Sequence, residues 1–513
     1  MHDFSLPPIV EPLSSGGLAD TVYEVAEETP DLPRLARRGG SETGPWVTVT
    51  AAAFRDEVQA LAKGLLASGV RFGDRVALMS RTRYEWTLFA CALWSIGAQV
   101  VLVYPTSSSQ QVRWILSDAH VTAIVVEHED HAMTVGAACD DLPQLDRIWQ
   151  LDSGCVAELT HQGREISDEV VHRHRFAVQP HSPAVIAYTS GTTGWPKGCV
   201  ITHANLAYEC DTLLKGWADV LAVPDGGQPS VLAFLPMAHV YGLMVAVLCL
   251  RGGVLLAHQP DLAPGALLPA LASFRPTFLF AVPYIFEKLL QKARMAAEEA
   301  GRGPVFERAV DVAMRYAEAI ERQGRGSGFG PGPWLRAVHT VFDHMVYKRI
   351  RAVLGGRVRY AVSGGSPLRR ELGLFFAGAG ITIYEGYGLT ETSCTVTGQP
   401  VGRLRFGTVG RPLPGHAIRI AEDGEIWVRG PVVFAGYLGD KETTDAVLRD
   451  GWLVTGDLGH FDDDGYLTIT GRKKDVIVTS GGKTVSLQVL EERLRAHPLV
   501  SQCLVVGDDR PYV

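Results

Sequence analysis

A hydroxyl- and glycine-rich run at residues 187–198, AYTSGTTGWPKG, constrains this chain more than any other segment. It follows the apolar stretch 183–187, and this order predicts a strand that ends in a loop. Glycines let a backbone approach a phosphate closely, hydroxyl and amide groups donate to its oxygens, and Lys197 adds a positive charge. The run differs from the P-loop NTPase pattern, because PKG stands where Gly-Lys-Ser/Thr would be required. Taken alone, it fits either a phosphate-binding loop or a glycine-rich linker.

The composition is that of a globular protein of more than one domain. The chain has 513 residues, 46% of them hydrophobic and 20% charged, which predicts two or more domains. Its net charge of −8 argues against a nucleic-acid binder. Eight cysteines without paired spacing suit a reducing compartment better than disulfides or zinc. The apolar stretch 240–257 is too short and broken for a bilayer, and the N-terminus lacks a signal-peptide pattern, so we expect a cytoplasmic protein.

Short apolar strands alternate with amphipathic helices through most of the chain, which predicts an α/β architecture with parallel pairing. The stretch 287–355 reads as helical, with a glycine-rich interruption at 324–333. Its basic flanks suit either a solvated excursion or peripheral contact with a membrane surface. From residue 407 onward, short strands between turns predict a small β-barrel or distorted sheet. After Arg472 a new unit begins, with a strand at 475–479, a turn at 481–482 and a helix at 486–496.

Three further motifs follow the first run in a fixed order. They are SGGSPL at 363–368, YEGYGLTET at 384–392, and TGD at 455–457 with GRKKD at 471–475. Together the four motifs resemble those of the adenylate-forming superfamily, which includes acyl-CoA synthetases, luciferases and the adenylation domains of peptide synthetases. The chain is most similar to long-chain fatty acyl-CoA synthetases, which carry an insertion in the same helical stretch.

The resemblance implies a large N-terminal AMP-binding domain at 1–471, followed at 472–513 by a hinge and a shortened α+β C-terminal domain. Within the large domain it implies two α/β subdomains, to about residue 395, and a small β-barrel at about 396–471. Relatives rotate the small domain about a hinge between two half-reactions, and Lys474 occupies the hinge position. Gly481 and Gly482 match the segment that shapes the tunnel for the pantetheine arm of CoA.

The resemblance also implies an ATP/AMP site. The residues expected to contact the nucleotide are Thr189, Ser190, Gly191, Thr192, Thr193, Gly194, Lys197, Gly364, Gly365, Ser366, Glu385, Gly386, Tyr387, Gly388, Asp457 and Arg472. Within this set the 189–197 group would hold the phosphates, Tyr387 would stack on adenine opposite Gly364 and Gly365, and Asp457 and Arg472 would bind the ribose hydroxyls.

The implied chemistry joins a carboxylic acid to CoA through an acyl-adenylate. Two anions meet in the first step, so cations and a metal ion are needed at the α-phosphate. Glu391 would bind Mg²⁺, Thr390 would donate to the α-phosphate, and Lys197 would supply charge. His239 would lie near the acyl carboxylate, although a structural histidine is the alternative. The segments 241–247, 282–286, 362–366 and 383–386 are apolar, which favours a hydrophobic acid, either fatty or polycyclic/aryl.

One feature departs from the pattern. Relatives carry a catalytic lysine for adenylation near the end of the small domain, whereas the lysines after Arg472 are Lys473, Lys474 and Lys483, and none fits that role. Either the sequence stops short of the tail that carries this lysine, or the protein ends near Val513. In the second case we expect slow adenylation with retained transfer of a supplied acyl-adenylate to CoA, and a separate adenylating enzyme would be a partner. The alternatives are an acyl-AMP ligase that loads a carrier protein and a non-catalytic adenylate-binding protein.

Overall fold

The structure is a computed structural model that describes residues 3–40, 43–189, 195–224 and 226–478, together with 484–486, 491, 494, 500 and 503–505. Its described α-helices are α1 Asp20–Glu28, α2 Ala51–Ala67, α3 Tyr84–Ser95, α4 Ser109–Asp118, α5 Glu129–Gly136, α6 Cys155–Gln162, α7 Asp168–Ala177, α8 His203–Gly216, α9 Ala218–Leu221, α10 Val240–Arg251, α11 Pro264–Phe274, α12 Pro283–Glu299, α13 Gly303–Gly324, α14 Pro333–Phe342, α15 Lys348–Val353, α16 Arg370–Gly378 and α17 Lys441–Val447. None of these helices is both long and apolar enough to cross a membrane.

The described strands are β1 Asp3–Ser5, β2 Pro33–Arg38, β3 Trp46–Thr50, β4 Arg75–Met79, β5 Gln99–Leu102, β6 Ala123–Val126, β7 Arg147–Gln150, β8 Pro183–Thr189, β9 Lys197–Thr202, β10 Ser230–Ala233, β11 Leu255–His258, β12 Phe278–Ala281, β13 Tyr360–Ser363, β14 Thr382–Tyr387, β15 Thr397–Gly398, β16 Arg411–Pro412, β17 Ala417–Ile420, β18 Glu425–Arg429, β19 Gly436–Tyr437, β20 Leu448–Arg449, β21 Trp452–Phe461, β22 Leu467–Arg472, β23 Val476–Val478 and β24 Thr484–Ser486. They form three large sheets and one hairpin within the described residues.

Two of the sheets have the predicted parallel α/β character. The first has the order β19-β9-β8-β5-β4-β6-β7, and the pairs from β8 to β7 are parallel. The second has the order β16-β15-β14-β13-β12-β10-β11-β2-β3, with parallel pairs from β14 to β2. Strands such as β6, whose four residues are all buried, are apolar on both faces because helices cover both sides of a parallel sheet.

The predicted turn-rich β-structure is the third sheet, in which β1, β17, β18, β21, β20 and β22 pair antiparallel. Beyond Arg472, β23 pairs antiparallel with β24. Ser486 therefore ends a strand, whereas the sequence predicted that a helix begins there. Most of the rest of that predicted helix and the turn at 481–482 lie outside the described residues.

The apolar stretch 240–257 folds as the predicted buried helix and strand. In α10 every residue from Val240 to Leu250 is buried, and β11 follows it. One continuous core joins α10 to the strands and helices of both parallel sheets. Because α10 is apolar around its circumference, it is stable only when protein surrounds it.

The helical excursion at α12–α15 is fixed to the second sheet through α13 and α16. Gly378, the last residue of α16, lies against the backbone of α13, and a Cβ atom there would be 2.1 Å from the carbonyl oxygen of Ala313. Only glycine allows such close approach of two backbones. This contact therefore packs the helical excursion against the second sheet and its helices.

We expect Gly378→Ala to lower the thermal unfolding midpoint, because overpacking of this kind costs about 1–3 kcal/mol. Gly265→Ala is the matched control, since Gly265 lies in α11 and has open space around its Cβ position, where alanine favours a helix. Differential scanning fluorimetry of both variants checks the prediction. Equal midpoints for the two variants would contradict the proposed contact.

Candidate functional site

The sequence motifs meet at the carboxyl ends of strands in the two parallel sheets. The first run begins where β8 ends, at Thr189, which pairs with Lys197 of β9. The second motif follows β13, and the third spans the end of β14 and the turn after it. Ligands of open α/β sheets bind at these strand ends. Ser190, Gly191, Thr192, Thr193 and Gly194 lie outside the described residues.

A hydrogen-bonded link joins the edge of the first sheet to the turn after β14. Tyr437 of β19, which pairs with β9, donates its hydroxyl to the Glu391 carboxylate at 2.8 Å. The backbone N–H of Phe434 donates to the Glu391 carbonyl at 2.9 Å. Burial and the neighbouring Glu391 raise the pKa of Tyr437, so its hydroxyl stays protonated and remains a donor.

Lys197 lies beside this link. Its Nζ donates to Thr443 Oγ1 at 2.9 Å, is 3.7 Å from the Asp440 carboxylate and lies 5.5 Å from the centre of the Tyr437 ring. Thr443 and Asp440 sit at the N-terminal end of α17, where Asp440 caps the helix. The amine therefore stands near Glu391 through a shared neighbour, Tyr437, and 37% of its side chain remains exposed.

A second cluster ties β14 to the third sheet. Asp457 is 3% exposed, and it accepts from the Tyr387 hydroxyl at 2.7 Å and from Arg472 Nε at 2.9 Å. Asp457 and Arg472 face each other across β21 and β22. Burial raises the pKa of Asp457 above 3.8, and the opposing pull of Arg472 and Tyr387 limits that rise. The structure thus brings three predicted nucleotide residues into direct contact.

The glycines of the second and third motifs permit close packing. A Cβ at Gly364 would lie 3.6 Å from the Tyr241 ring and 3.8 Å from the Gly386 carbonyl oxygen. Gly365 has φ +82°, a conformation that L side chains rarely adopt. A Cβ at Gly388 would lie 1.5 Å from the Cys394 carbonyl oxygen, so no side chain fits there. Gly386 is nearly as confined, since its Cβ would be 3.0 Å from the Thr397 carbonyl oxygen.

The Glu385 side chain contacts the second motif at its last residue, Leu368. Its carboxyl group is buried and accepts from the Leu368 N–H at 2.9 Å. Burial raises its pKa to about 8. The side chain therefore stabilises the loop that holds Gly364, Gly365 and Ser366, while Ser366 itself is exposed.

His239 caps α10. Its Nδ1 accepts from the Tyr241 N–H at 3.1 Å, so a neutral ring carries its proton on Nε2. Partial removal of the imidazole from water lowers its pKa. Near neutral pH, His239 is thus an uncharged donor through Nε2.

Two short turns carry further predicted residues. Thr390 and Glu391 lie in the short 3₁₀ turn Thr390–Thr392 and are half-buried. Lys474 lies in the 3₁₀ turn Lys473–Asp475 and is exposed. Gly481 and Gly482 lie outside the described residues.

Three groups at the site were missed by sequence reasoning. Tyr437 contacts Glu391, as described above. Trp114 of α4 donates Nε1 to the Pro196 carbonyl at 2.9 Å and stacks on Trp195, which anchors the far end of the first run. Glu209 of α8 accepts from the Thr395 N–H at 2.7 Å. No local pattern identifies these side chains, because each partner lies far away in the sequence.

Comparison with known proteins agrees with this geometry. Residues 22–438 match the family model described as AMP-binding enzyme. Because this match covers most of the chain, the chain belongs to the AMP-binding enzyme family.

Two relatives indicate which class of AMP-binding enzyme the chain belongs to. The long-chain-fatty-acid–CoA ligase FadD15 of Mycobacterium tuberculosis is 42% identical over 100% of this chain and 84% of its own length. The Drosophila melanogaster long-chain-fatty-acid–CoA ligase heimdall is 30% identical over 96% of this chain and 74% of its own length. The chain is an acid–thiol ligase of the AMP-forming acyl-CoA synthetase class.

Solved structures share the fold. O-succinylbenzoate coenzyme A synthetase (MenE) from Bacillus subtilis, in complex with AMP, has a TM-score of 0.72 at 22% identity and covers 98% of this chain and 88% of its own. ATP-bound MatB from Rhodopseudomonas palustris has a TM-score of 0.72 at 25% identity and covers 95% of this chain and 85% of its own. The α/β architecture predicted from the motifs is therefore confirmed.

The Glu385 carboxyl predicts a pH dependence of stability. Its pKa is about 8 in the fold against 4.5 ordinarily, so the folded state holds a proton that the unfolded state releases between those values. Stability must then fall as pH rises from about 4.5 to about 8. We expect Glu385→Gln to reduce this fall by at least about 1.4 kcal/mol, the worth of one pKa unit.

Unfolding midpoints measured at intervals from pH 5 to pH 8 check the prediction. Glu371→Gln, at an exposed position on the neighbouring α16, is the control and should follow the wild type. An unchanged slope in Glu385→Gln would show that the carboxyl ionises in the folded protein as it does in water.

Proposed function

We propose that this chain joins a long-chain hydrophobic carboxylic acid to CoA through an acyl-adenylate. The observation that carries the proposal is the convergence of Lys197, Glu391 and the Tyr387–Asp457–Arg472 cluster around the glycine-lined strand ends. The two relatives named above are long-chain-fatty-acid–CoA ligases, which supports a fatty acid as the substrate class. A polycyclic or aryl acid is the alternative.

The adenosine end of ATP would be held by the Asp457 cluster. The Asp457 carboxylate accepts hydrogen bonds, and the Arg472 guanidinium, with 45% of its side chain exposed, has donors left for ribose hydroxyls. The Tyr387 ring would stack on the base, with its hydroxyl fixed on Asp457. The absence of side chains at Gly364 and Gly365 would let the opposite face of the base approach the backbone.

The phosphate end would lie between Lys197 and Glu391. Among the described residues no group of three or more His, Cys, Asp or Glu side chains could enclose a metal. That fits Mg²⁺, which usually keeps several waters and binds one or two carboxylates together with substrate phosphates. Glu391 would hold it, and the ion, when bound, neutralises charge on the phosphate oxygens. Lys197 would add a second positive charge, and Thr390 would donate a hydrogen bond to the α-phosphate.

The acyl carboxylate would meet the Nε2–H of His239. An uncharged donor orients a carboxylate without neutralising it, so the carboxylate oxygen keeps its nucleophilic character. The Tyr241 ring next to Gly364 would form part of the wall between the acyl and nucleotide sites. Transfer to CoA would then use the small domain at 472–513, with Lys474 as the hinge and Gly481–Gly482 lining the pantetheine tunnel.

Removing the Glu391 carboxylate charge should block the first half-reaction. We expect Glu391→Gln to lower the rate of pyrophosphate release from ATP and palmitate by about 10²-fold or more, the usual cost of losing such an electrostatic contact. Tyr437→Phe is the matched variant, because it keeps the carboxylate and removes only the hydroxyl that orients it.

Tyr437→Phe should raise the Mg²⁺ concentration required for half-maximal rate, with a smaller loss of rate at saturation. Initial rates across a Mg²⁺ titration separate the two effects. Equal behaviour of the two variants, or wild-type behaviour of Glu391→Gln, would remove the metal role from Glu391.

The half-reactions can be separated in a polypeptide of these 513 residues. Its last lysine is Lys483, so we expect acyl-CoA formation from palmitoyl-adenylate and CoA to exceed formation from ATP, palmitate and CoA by about 10²-fold or more. Mass spectrometry of acyl-CoA in parallel reactions measures both. Equal rates would show that adenylation proceeds without the usual lysine. Transfer to a phosphopantetheinyl carrier protein but not to CoA would favour the acyl-AMP ligase, and binding without any transfer would favour a non-catalytic protein.

A further inference from the structure

A cavity of about 370 Å³ lies within the helical excursion, between α11, α12, α13, α15 and the π-helical turn Asp343–Tyr347. Its walls are mainly aliphatic and aromatic, and Leu289, Phe306, Ile350 and Leu354 contribute to them. The volume is in the range of small-molecule sites, roughly 300–1,000 Å³. Nothing in the proposed ligase chemistry uses this cavity.

The cavity lies further along α12 than the segment 282–286 that is predicted to line the acyl pocket. That helix begins at Pro283, and the Val282 side chain just before it lies near Gly365. The α12 residues that line the cavity run from Leu289 to Ala297, and the first of them is roughly 5 Å along the helix axis beyond residue 286. None of the lining residues belongs to the segments predicted for the acyl pocket.

The apolar lining of the cavity suits an alkyl chain. Ala293, Ala296, Ala297 and Ala300 follow the spacing of one helical face, and all four line the cavity opposite larger apolar side chains. Small side chains on α12 thus leave a hollow that the rest of the helical layer does not fill. An elongated apolar ligand would bury the surface that this hollow leaves open.

The charged residues that line the cavity are all positive. Lys292, Arg302 and Arg349 line it, and no acidic residue does, although the chain as a whole has a net charge of −8. All three are exposed, and within the described part of the chain none of them forms an ion pair. These cations match an anionic headgroup above an apolar chain. The lining offers no exposed aromatic side chain on which a nucleotide base could stack.

We propose that this cavity binds a long-chain carboxylate, with the alkyl chain between α12 and α15 and the carboxylate at Lys292, Arg302 and Arg349. It is a second acyl site, distinct from the one where the acid is activated. It would hold a further molecule of free acid near the enzyme, whether or not the active site is filled.

Equilibrium dialysis with radiolabelled palmitate, without ATP or CoA, tests the proposal. A non-hydrolysable palmitoyl-adenylate analogue at saturation fills the active site and its acyl pocket. We expect about one mole of palmitate per mole of protein to bind in its presence, and hexadecanol to compete at least 10-fold more weakly. Loss of all palmitate binding with the analogue would overturn the proposal, as would palmitoyl-CoA that competes more tightly than palmitate does.

Two variants locate the site. Ala297→Trp should abolish the residual binding by filling the hollow, and Arg349→Glu should weaken it at least 10-fold by reversing one charge. Arg322→Glu is the control for charge, because Arg322 is exposed near the far end of α13, and it should bind as the wild type does. Ala296→Trp replaces Ala297→Trp if the latter lowers the unfolding midpoint, since Ala296 is exposed at the cavity.

Residual binding that neither substitution changes would overturn the proposal, and so would binding seen only with anionic phospholipid vesicles. The dialysis involves no turnover. The cavity variants locate palmitate binding without ATP, CoA or the analogue, so a failure of the ligase assays leaves their result intact.

Discussion

The contact between Tyr437 and Glu391 is where the two parallel sheets become one site. Tyr437 belongs to the edge of the first sheet, and Glu391 follows β14 of the second. The side-chain bond of 2.8 Å and the backbone bond from Phe434 hold the two layers together beside the ends of their strands. A shift between the sheets would separate the proposed metal ligand from Lys197, which stands on the Tyr437 side.

The turn after Glu391 has an unusual backbone. Ser393 and Cys394 have φ values of +59° and +149°, which cost energy in residues with side chains. Two buried contacts keep them there: Ser393 Oγ donates to the Val432 carbonyl at 2.7 Å, and Glu209 accepts from the Thr395 N–H. Burial raises the pKa of Glu209 to about 8, so near neutral pH its carboxyl is mainly protonated and the turn gains a bond without a buried charge. Backbone strain next to Glu391 is thus balanced by groups that lie outside every motif.

The sequence predicted what local patterns can encode. Apolar runs such as β6 and the buried helix α10 follow from hydrophobicity. The partners of the site residues could not be predicted, since Tyr437, Trp114 and Glu209 act on residues 46, 82 and 186 positions away. The cavity beside α12 could not be predicted for the same reason, because distant segments of the chain enclose it. Its alanines look like ordinary helix formers until α13 and α15 close around them.

Both proposed anionic ligands of the site are held by phenols. Tyr437 donates to Glu391, and Tyr387 donates to Asp457. A phenol orients a carboxylate without adding positive charge, whereas a lysine or arginine in its place would compete with Mg²⁺ or a ribose hydroxyl for the same charge. Burial and the adjacent carboxylates raise the pKa of both tyrosines, so both remain donors across the physiological range. Asp457 also pairs with Arg472, whose remaining donors would face the ribose in the proposed complex, while Lys197 would face the substrate phosphates.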